Sequence, residues 1–361
     1  MNIEYFTRSQ TPSWMTQRGD DTDIVMTTRI RLARNLAGFR FPLSFSQEEV
    51  QTIQKKVQEA FSTDVFQQEY SYFLMSDLSQ LTRQILVEKH LISPYLAKRM
   101  KTGAVFLSAD ESVSVMVNEE DHLRIQCLAP GLQLAETFQQ ANDMDDLLCE
   151  RLGFSFDEQF GYLTSCPTNV GTGLRSSVML HLPALAMLKR MNGLVQKMTR
   201  LGIVVRGIYG EGSEHLGNIY QISNQITLGK SEQEILRELQ AVVAHIIDLE
   251  RQARKHWLDQ ARFTLTDRVH RALGTLLHAR ILTSEEAAIC LSNVRLGVDL
   301  KLINDVSEKI LNECVLFIQP GFVQQYAEKP LEAGERDVFR AKYVREKLHE
   351  SLDNCKGDGN L

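Results

Sequence analysis

Residues 104–128 read AVFLSADESVSVMVNEEDHLRIQCL. Val, Ile and Leu fall in three short runs, 104–108, 113–118 and 122–128, separated by polar residues. Runs of this length and composition read as strands. Connections this short join antiparallel neighbours, because a parallel pair needs a long crossover. Asn118-Glu119-Glu120-Asp121 forms the tight connection between the last two runs.

On either side the period changes. Ser46-Gln47-Glu48-Glu49 is a capping-box pattern, followed by Val50, Ile53, Val57 and Phe61 at helical spacing. Helices are expected over 77–89, 132–152, 182–201 (with Pro183 in its first turn) and 231–254, and strands over 160–165, 203–208 and 219–226. Strands and helices in no βαβ rhythm indicate an α+β fold, an antiparallel sheet flanked by helices. Beyond residue 255 strand signals nearly vanish. Helices are expected over 258–280, 284–293, 300–317 and 336–352, with Pro320 and Pro330 punctuating the gap before the last. The reading is an α+β domain over 1–254 and an all-α C-terminal domain over 255–361, ending in a frayed tail.

The 361 residues are 43% apolar and 24% charged, which excludes a disordered or fibrous chain. Forty Lys+Arg against 46 Asp+Glu give a net charge of −6, so no overall basic field favours nucleic acid. The six cysteines form no CxxC pair and no zinc-finger spacing, which favours a reducing compartment over disulfides. There is no signal-peptide core and no run of roughly eighteen apolar residues. A cytoplasmic protein is expected.

Two nucleotide motifs fail on inspection. Gly229-Lys230-Ser231 resembles the end of a phosphate-binding loop, but Asn224 stands where the required glycine belongs. Gly210-Glu211-Gly212 lacks the third glycine of a dinucleotide fingerprint, since His215 occupies that place. What remains is a set of arginines. Arg29 and Arg31 alternate with Thr28, Ile30 and Leu32 on one face of a strand, and Arg34 lies just beyond. Arg124 sits within the 122–128 strand, Arg175 follows Gly171-Thr172-Gly173-Leu174, and Arg206 ends the strand that begins at Ile203. Each alone is an ordinary surface arginine in a salt bridge. Together, beside glycine-rich turns in an acidic chain, they form a cradle for phosphate oxygens.

Cys166 lies in Thr164-Ser165-Cys166-Pro167-Thr168-Asn169-Val170-Gly171-Thr172. A free cysteine is a common core residue, yet here hydroxyls and glycines surround it, a setting that favours a thiolate near cations. Acidic turns at 118–122 and 206–212 adjoin Arg124 and Arg206, which puts carboxylates beside the cradle.

Cys-Pro-Thr-Asn-Val-Gly-Thr, the Asn-Glu-Glu-Asp-His turn, Thr-Arg-Ile-Arg and Arg-Gly-x-x-Gly-Glu, in this order over residues 20–254, resemble the phosphagen (guanidino) kinase family. The resemblance implies magnesium-ATP held by Arg29, Arg31, Arg124, Arg175 and Arg206. It further implies a nucleotide site lined by Thr27, Thr28, Ile30, Ser176, Ser177, Val178, Met179, Gly207, Ile208, Tyr209, Gly210 and Glu211, with His90 at the base or ribose. Mg²⁺ is expected to be held mainly by ATP, with no protein metal site. Glu120 is implied as the base that orients and deprotonates a guanidinium, Glu211 as its partner on another nitrogen, and Cys166 as a thiolate against the same group.

Family members that act on small guanidino compounds carry a helical domain ahead of the catalytic one. Here the Thr-Arg-Ile-Arg motif begins at Thr28, and a helical extension follows instead. That arrangement is similar to the family's bacterial protein-arginine-kinase branch. Arg336-Asp337-Val338-Phe339-Arg340-Ala341 matches the branch's motif for a regulatory phosphoarginine pocket, so Arg336, Asp337, Arg340 and Ala341 are implied in it. Without the match they are a solvated helix face. The resemblance implies protein substrates, among them a heat-shock repressor and clients of a Clp protease, and a zinc-binding activator protein. No direct nucleic acid or membrane contact is expected. Apolar faces around Leu273, Leu277 and Leu300 could pack a homodimer or the domain's own core. The competing readings are a kinase of a free guanidino metabolite and a non-catalytic phosphoarginine-binding adaptor.

Overall fold

The computed structural model describes residues 1–8, 11–16, 19–62, 70–207 and 216–357. Short helices α1 (Ile3–Thr7) and α2 (Ser13–Thr16) precede β1 (Val25–Arg34), α3 (Gln47–Phe61), β2 (Tyr70–Leu74) and α4 (Gln80–Glu88). Then come β3 (Ala104–Ser108), β4 (Val113–Val117), β5 (Leu123–Pro130), α5 (Leu134–Leu152), and the two-residue strands β6 (Phe156–Asp157) and β7 (Gly161–Tyr162). β8 (Leu174–His181), α6 (Pro183–Met187), α7 (Met191–Arg200), β9 (Ile203–Arg206) and β10 (Ile219–Asn224) complete the sheet region. Five helices follow: α8 (Glu232–His278), α9 (Ser284–Asp299), α10 (Glu308–Phe317), α11 (Pro320–Tyr326) and α12 (Ala333–Gly357).

Eight strands form one sheet in the order β2-β3-β4-β5-β1-β8-β10-β9, and every neighbouring pair is antiparallel. The period of two divides its residues sharply. On one face Ile30, Leu32, Ile125, Cys127, Val178, Leu180 and Ile222 join α3, α5 and α8 in the main core. On the other face, at the β3–β4 end, Val105, Leu107 and Met116 pack with Phe6 of α1 and Leu86 of α4. Towards β5, β1, β8 and β9 the same face carries the arginines.

The capping box at Ser46 forms as expected, with Glu49 N donating to Ser46 Oγ and Ser46 N to the Glu49 carboxylate. Four expected elements differ. The strand over 160–165 shrinks to Gly161–Tyr162, where Tyr162 bridges Gly171. The helix over 182–201 breaks at Lys189, which is left-handed at φ 56°, while Glu250 accepts the free amides of Ala184 and Leu185 at the start of α6. The helix over 300–317 begins only at Glu308, because the Leu302 and Ile303 amides turn back to the Gly297 carbonyl. The helix that starts at Ser231 runs through residue 255 and departs from helical geometry at Ala261 (φ −146°). Strands β2, β6 and β8 and helices α1, α2 and α11 have no counterpart in the sequence reading.

A second core gathers α9–α12 and the distal part of α8, and it also takes in Trp14, Met15, Ile85 and Leu128. Leu273 belongs to this core, and Leu277 and Leu300 pack against it. Trp257 touches both large cores. No described helix is long and apolar enough to cross a membrane.

Candidate active site

Strand register assembles the arginine face. Arg31 pairs with Arg175 across β1 and β8, Arg29 with Ser177, and Ala33 with Arg124 across β1 and β5. Arg206 at the end of β9 pairs with Gln221 of β10. Arg29 Nη2 donates to Gln221 Oε1 at 2.7 Å, which ties β1 to β10 across the intervening strand. Two cavities adjoin here and share Arg31, Arg124 and Arg206. One, of about 130 Å³, also contacts Arg29, His90, Ser93, Gln126 and Gln221. The other, of about 370 Å³, adds Glu120, Cys166, Thr168, Asn169 and Arg175.

Guanidiniums this close repel one another. Burial first, then Arg124 and Arg175, draw the Arg29 pKa down to about 10. Arg31 is lowered well below its usual value by burial and by Arg29, Arg124 and Arg175, and its buried Nε has no hydrogen-bond partner. Guanidiniums stay protonated, so the direction describes a desolvated cationic cluster built to receive an anion. His90 lines this cluster with its ring 5.9 Å from that of Trp14; burial and Arg29 lower its pKa to about 3, and the imidazole is neutral.

The 118–122 turn carries the acids. Asn118 adopts a left-handed φ of 55°, and its amide closes the turn on the His122 carbonyl. His122 fixes the turn from behind. Its Nδ1 accepts from Leu36 N at 3.0 Å, which leaves Nε2 to donate to the Arg40 carbonyl at 3.0 Å. Arg124 forks between two carboxylates, Nη1 to Glu119 Oε1 at 2.7 Å and Nη2 to Glu120 Oε2 at 3.0 Å. Glu119 is buried and also accepts from Ser93 Oγ and from the Glu120 amide. Glu120 lines the larger cavity with its side chain 38% exposed. Burial raises its pKa, while Arg124 opposes the rise.

Asp121 joins this turn to the cysteine loop, its Oδ1 accepting from Ser165 N at 2.6 Å and Asn35 Nδ2 at 2.7 Å. Cys166 Sγ lies 3.0 Å from Thr168 Oγ1. Thr227 Oγ1 bonds the Thr168 and Val170 carbonyls, and the Thr172 amide returns to the Thr227 carbonyl. Gly171 permits this approach: at φ 108°, a Cβ there would lie 2.3 Å from the Thr227 oxygen.

Several expected residues do not reach the cavity with their side chains. Ile30 and Val178 lie in the main core, and Thr28 and Ser176 share their strand face and are fully buried. The hydroxyls of Thr27 and Thr28 serve the β1–α5 junction, donating to the Ala129 and Gly131 carbonyls. Ser177 and Met179 share the strand face of Arg175, and Ser177 Oγ meets Arg29 Nε at 3.4 Å. Gly207 is buried at the end of β9. Ile208, Tyr209, Gly210 and Glu211 lie outside the described residues. Arg34, read beside the cradle arginines, faces the helices and pairs with Asp145 of α5 at 2.7 Å. Gln126 and Gln221 were missed, although each is a polar residue inside an apolar strand run. Ser93 gave no signal.

At the C-terminal motif Arg340 is 1% exposed and Ala341 is fully buried in the second core. Arg340 Nε donates to the Ile318 carbonyl and Nη1 to the Leu282 carbonyl, each at 2.8 Å, and Nη1 also pairs with Asp337. In this structure Arg340 and Ala341 are therefore engaged in packing the second core. Arg336 is half-buried and donates to the Leu331 carbonyl.

An antiparallel sheet bearing an arginine cradle beside a glutamate and a cysteine suits phosphoryl transfer to a guanidinium. Residues 52–253 match the family model "ATP:guanido phosphotransferase, C-terminal catalytic domain", and residues 262–357 match "Protein-arginine kinase McsB C-terminal domain". The fold agrees: a lombricine kinase covers 68% of this chain and 70% of its own at TM-score 0.57 and 23% identity. A taurocyamine kinase from Schistosoma mansoni covers 90% of this chain and 50% of its own at TM-score 0.58 and 22% identity. The chain belongs to the ATP:guanido phosphotransferase family.

Its relatives narrow the class. A protein-arginine kinase of Geobacillus sp. (strain WCH70) is 51% identical over 350 residues, 96% of this chain and 97% of that one. One of Bacillus subtilis (strain 168) is 50% identical over 351 residues, 97% and 96% of the two chains. The protein is an ATP-using protein-arginine kinase.

Proposed function

We propose that the two adjoining cavities divide the substrates of this kinase between them. ATP phosphates lie against Arg29, Arg31, Arg124, Arg175 and Arg206 with His90 towards the base or ribose, and the target guanidinium enters beside Glu120 and Cys166. The observation that carries the reading is the Arg124 fork, which places a half-exposed glutamate directly against a cradle arginine.

A guanidinium is a poor nucleophile because its lone pairs are delocalised. Glu120 holds it and takes a proton from the attacking nitrogen. The N–P bond forms as the bond between the γ-phosphorus and the β,γ-bridging oxygen breaks, and ADP leaves with that electron pair. The arginines neutralise charge on the moving phosphoryl group, so the work is positioning and electrostatics. Cys166 contacts another atom of the same guanidinium, and the family motif assigns Glu211, outside the described residues, to a further nitrogen. Mg²⁺ would be held mainly by the nucleotide's phosphates and would offset their charge; Glu119 and Glu120 are engaged by Arg124.

Substrates are arginine side chains of proteins, and five described cysteines that are all free fit a reducing cytoplasm. Clp protease clients, a heat-shock repressor and a zinc-binding activator protein remain the partners to assay first, and a homodimer the assembly. Phosphoarginine binding at the C-terminal motif would engage Arg336 and Asp337 and draw Arg340 from its carbonyl partners. The test is mass spectrometry at neutral pH after incubation with magnesium-ATP and an arginine-containing protein. Acid-labile phosphoryl groups on arginine, lost in Glu120→Gln, support the reading. Unchanged transfer by Glu120→Gln contradicts it.

A further inference from the structure

A buried carboxylate is one route by which the C-terminal helices reach the cavity region, beside the packing of Trp14 against His90. Glu88 closes α4 and is 6% exposed. Its Oε1 accepts the Gly321 amide at 2.8 Å, and its Oε2 accepts the Phe322 amide at 3.2 Å. These are first-turn amides of α11, which have no partner inside their own helix. Gln84 Nε2, one turn back on α4, also donates to Oε1 at 3.0 Å. The seat is tight at Gly321: a Cβ there would lie 2.7 Å from Glu88 Oε2 and 3.1 Å from the carboxyl carbon, so the carboxylate would have to shift off the two amides. Burial pushes the Glu88 pKa up to about 7, against the pull of the two amides and Gln84.

Both sides of this contact are anchored. Behind α11, Arg340 holds the Ile318 and Leu282 carbonyls, the Leu282 amide bonds the Asp337 carbonyl, and Phe322 lies in the second core. On α4, Ile85 belongs to that same core while Leu86 belongs to the one under β3 and β4. Beyond Glu88 the chain runs straight into the cavity wall. Lys89 is buried against Glu111 and the Phe6 carbonyl. His90 is left-handed at φ 59°, and its carbonyl accepts from Gln126 Nε2 at 2.8 Å. Ser93 Oγ donates to Glu119 Oε1 at 2.5 Å, the same oxygen that takes Arg124. An unbroken series of covalent and hydrogen bonds therefore links the α11 amides to Arg124.

We infer that Glu88 is a positioning residue, through which the C-terminal helices set the placement of residues 90–93 and with it the affinity for nucleotide. The inference rests on the cavity being the nucleotide site. It is independent of whether the Arg336–Ala341 motif binds phosphoarginine. Glu88 touches no reacting atom in this account; it acts through His90 and Ser93.

The experiment breaks the contact from both sides in the full-length kinase. Glu88→Ala and Gly321→Ala are each expected to raise the KM for ATP by about tenfold, within the range that coupling residues reach, with kcat changed less than about twofold. The double variant should be no worse than the stronger single, because both remove one interaction. Glu88→Gln, which keeps one acceptor, should recover part of the loss. Leu311→Ala, in the second core, controls for stability: it should lower thermal stability without moving the KM. Arg29→Ala tests the cavity itself. If Arg29→Ala weakens ATP binding while the Glu88 and Gly321 variants match Leu311→Ala, or add together in the double variant, the coupling is wrong. If Arg29→Ala leaves ATP affinity intact, the nucleotide reading falls, and this inference with it.

Discussion

Glu120 and Arg124 are joined by a 3.0 Å hydrogen bond between Oε2 and Nη2 across the end of the 118–122 turn. The pair places a carboxylate and a guanidinium at adjoining positions on one cavity wall. It also gives Arg124 two duties, since Glu119 holds its other nitrogen at 2.7 Å. Removing Glu120 therefore leaves Arg124 oriented. Glu120→Gln should lower the transfer rate by about 10²- to 10⁴-fold, the usual contribution of a general base, while ATP affinity changes less than about threefold. Single-turnover transfer beside equilibrium nucleotide binding checks both numbers.

Asp121 aligns the cysteine loop with the glutamate turn through the Ser165 amide. Asp121→Ala should reduce kcat by about tenfold or more by misplacing Cys166, and Asp121→Asn, which keeps an acceptor oxygen, should recover part of it. Cys166→Ser should fold normally and lose most activity. A Cys166→Ser enzyme with an unchanged rate would make the cysteine a loop-packing residue.

Arg34 and Arg175 separate stability from function. The Arg34–Asp145 side chains are 3% and 4% exposed, so Arg34→Ala strands a buried carboxylate and should cost about 3–5 kcal/mol. Arg175→Ala removes a cavity-lining cation and should weaken ATP binding with a much smaller loss of stability. Denaturant unfolding and nucleotide titration of the two variants distinguish these outcomes.

His122, buried, and His90, half-buried in the cavity wall, are neutral bases whose folded pKa values lie at about 4 and about 3, below the ordinary 6.5. Protons bind the unfolded chain first, so the stability they contribute is complete above pH 6.5 and is lost as pH falls towards about 4 for His122 and about 3 for His90. Histidine-selective NMR should find both imidazoles neutral at about pH 5.5 while exposed histidines have titrated. Protonation of His122 near pH 6.5 would contradict the hydrogen bond it accepts from Leu36 N.

The C-terminal motif should divide in the same way. Arg336→Ala loses a single hydrogen bond to the Leu331 carbonyl and should change stability by about 1 kcal/mol. Arg340→Ala leaves the Ile318 and Leu282 carbonyls without their donor and should cost about 3 kcal/mol. Thermal unfolding decides it, and equal losses would show that Arg340 is not the structural member.

Six of the sheet's eight strands were legible because short apolar runs and period-two alternation are local signals, whereas β2 and β8 were not expected. The same alternation correctly put Arg29 and Arg31 on one face, and it would have assigned Gln126 to the face of Arg124 had it been carried two residues further. It also argues against Ile30 and Val178 as lining residues, which the family motif brought in with their neighbours. Other features were illegible for a physical reason. Glu88 meets Gly321 across 233 positions, and no local pattern marks a carboxylate that caps a distant helix. The break at Lys189 depends on Glu250 taking the α6 amides from a separate helix. Residues 300–317 kept a helical rhythm although the backbone turns back on Gly297.

The most direct test of the account compares wild type and Glu120→Gln on one arginine-containing protein, with neutral-pH mass spectrometry of the product and ATP binding measured on the same samples. The account predicts acid-labile phosphoryl groups on arginine from the wild type, almost none from the variant, and near-equal ATP affinity. Equal phosphorylation by both enzymes would contradict Glu120 as the base, and loss of ATP binding in the variant would contradict the separation of cradle from base.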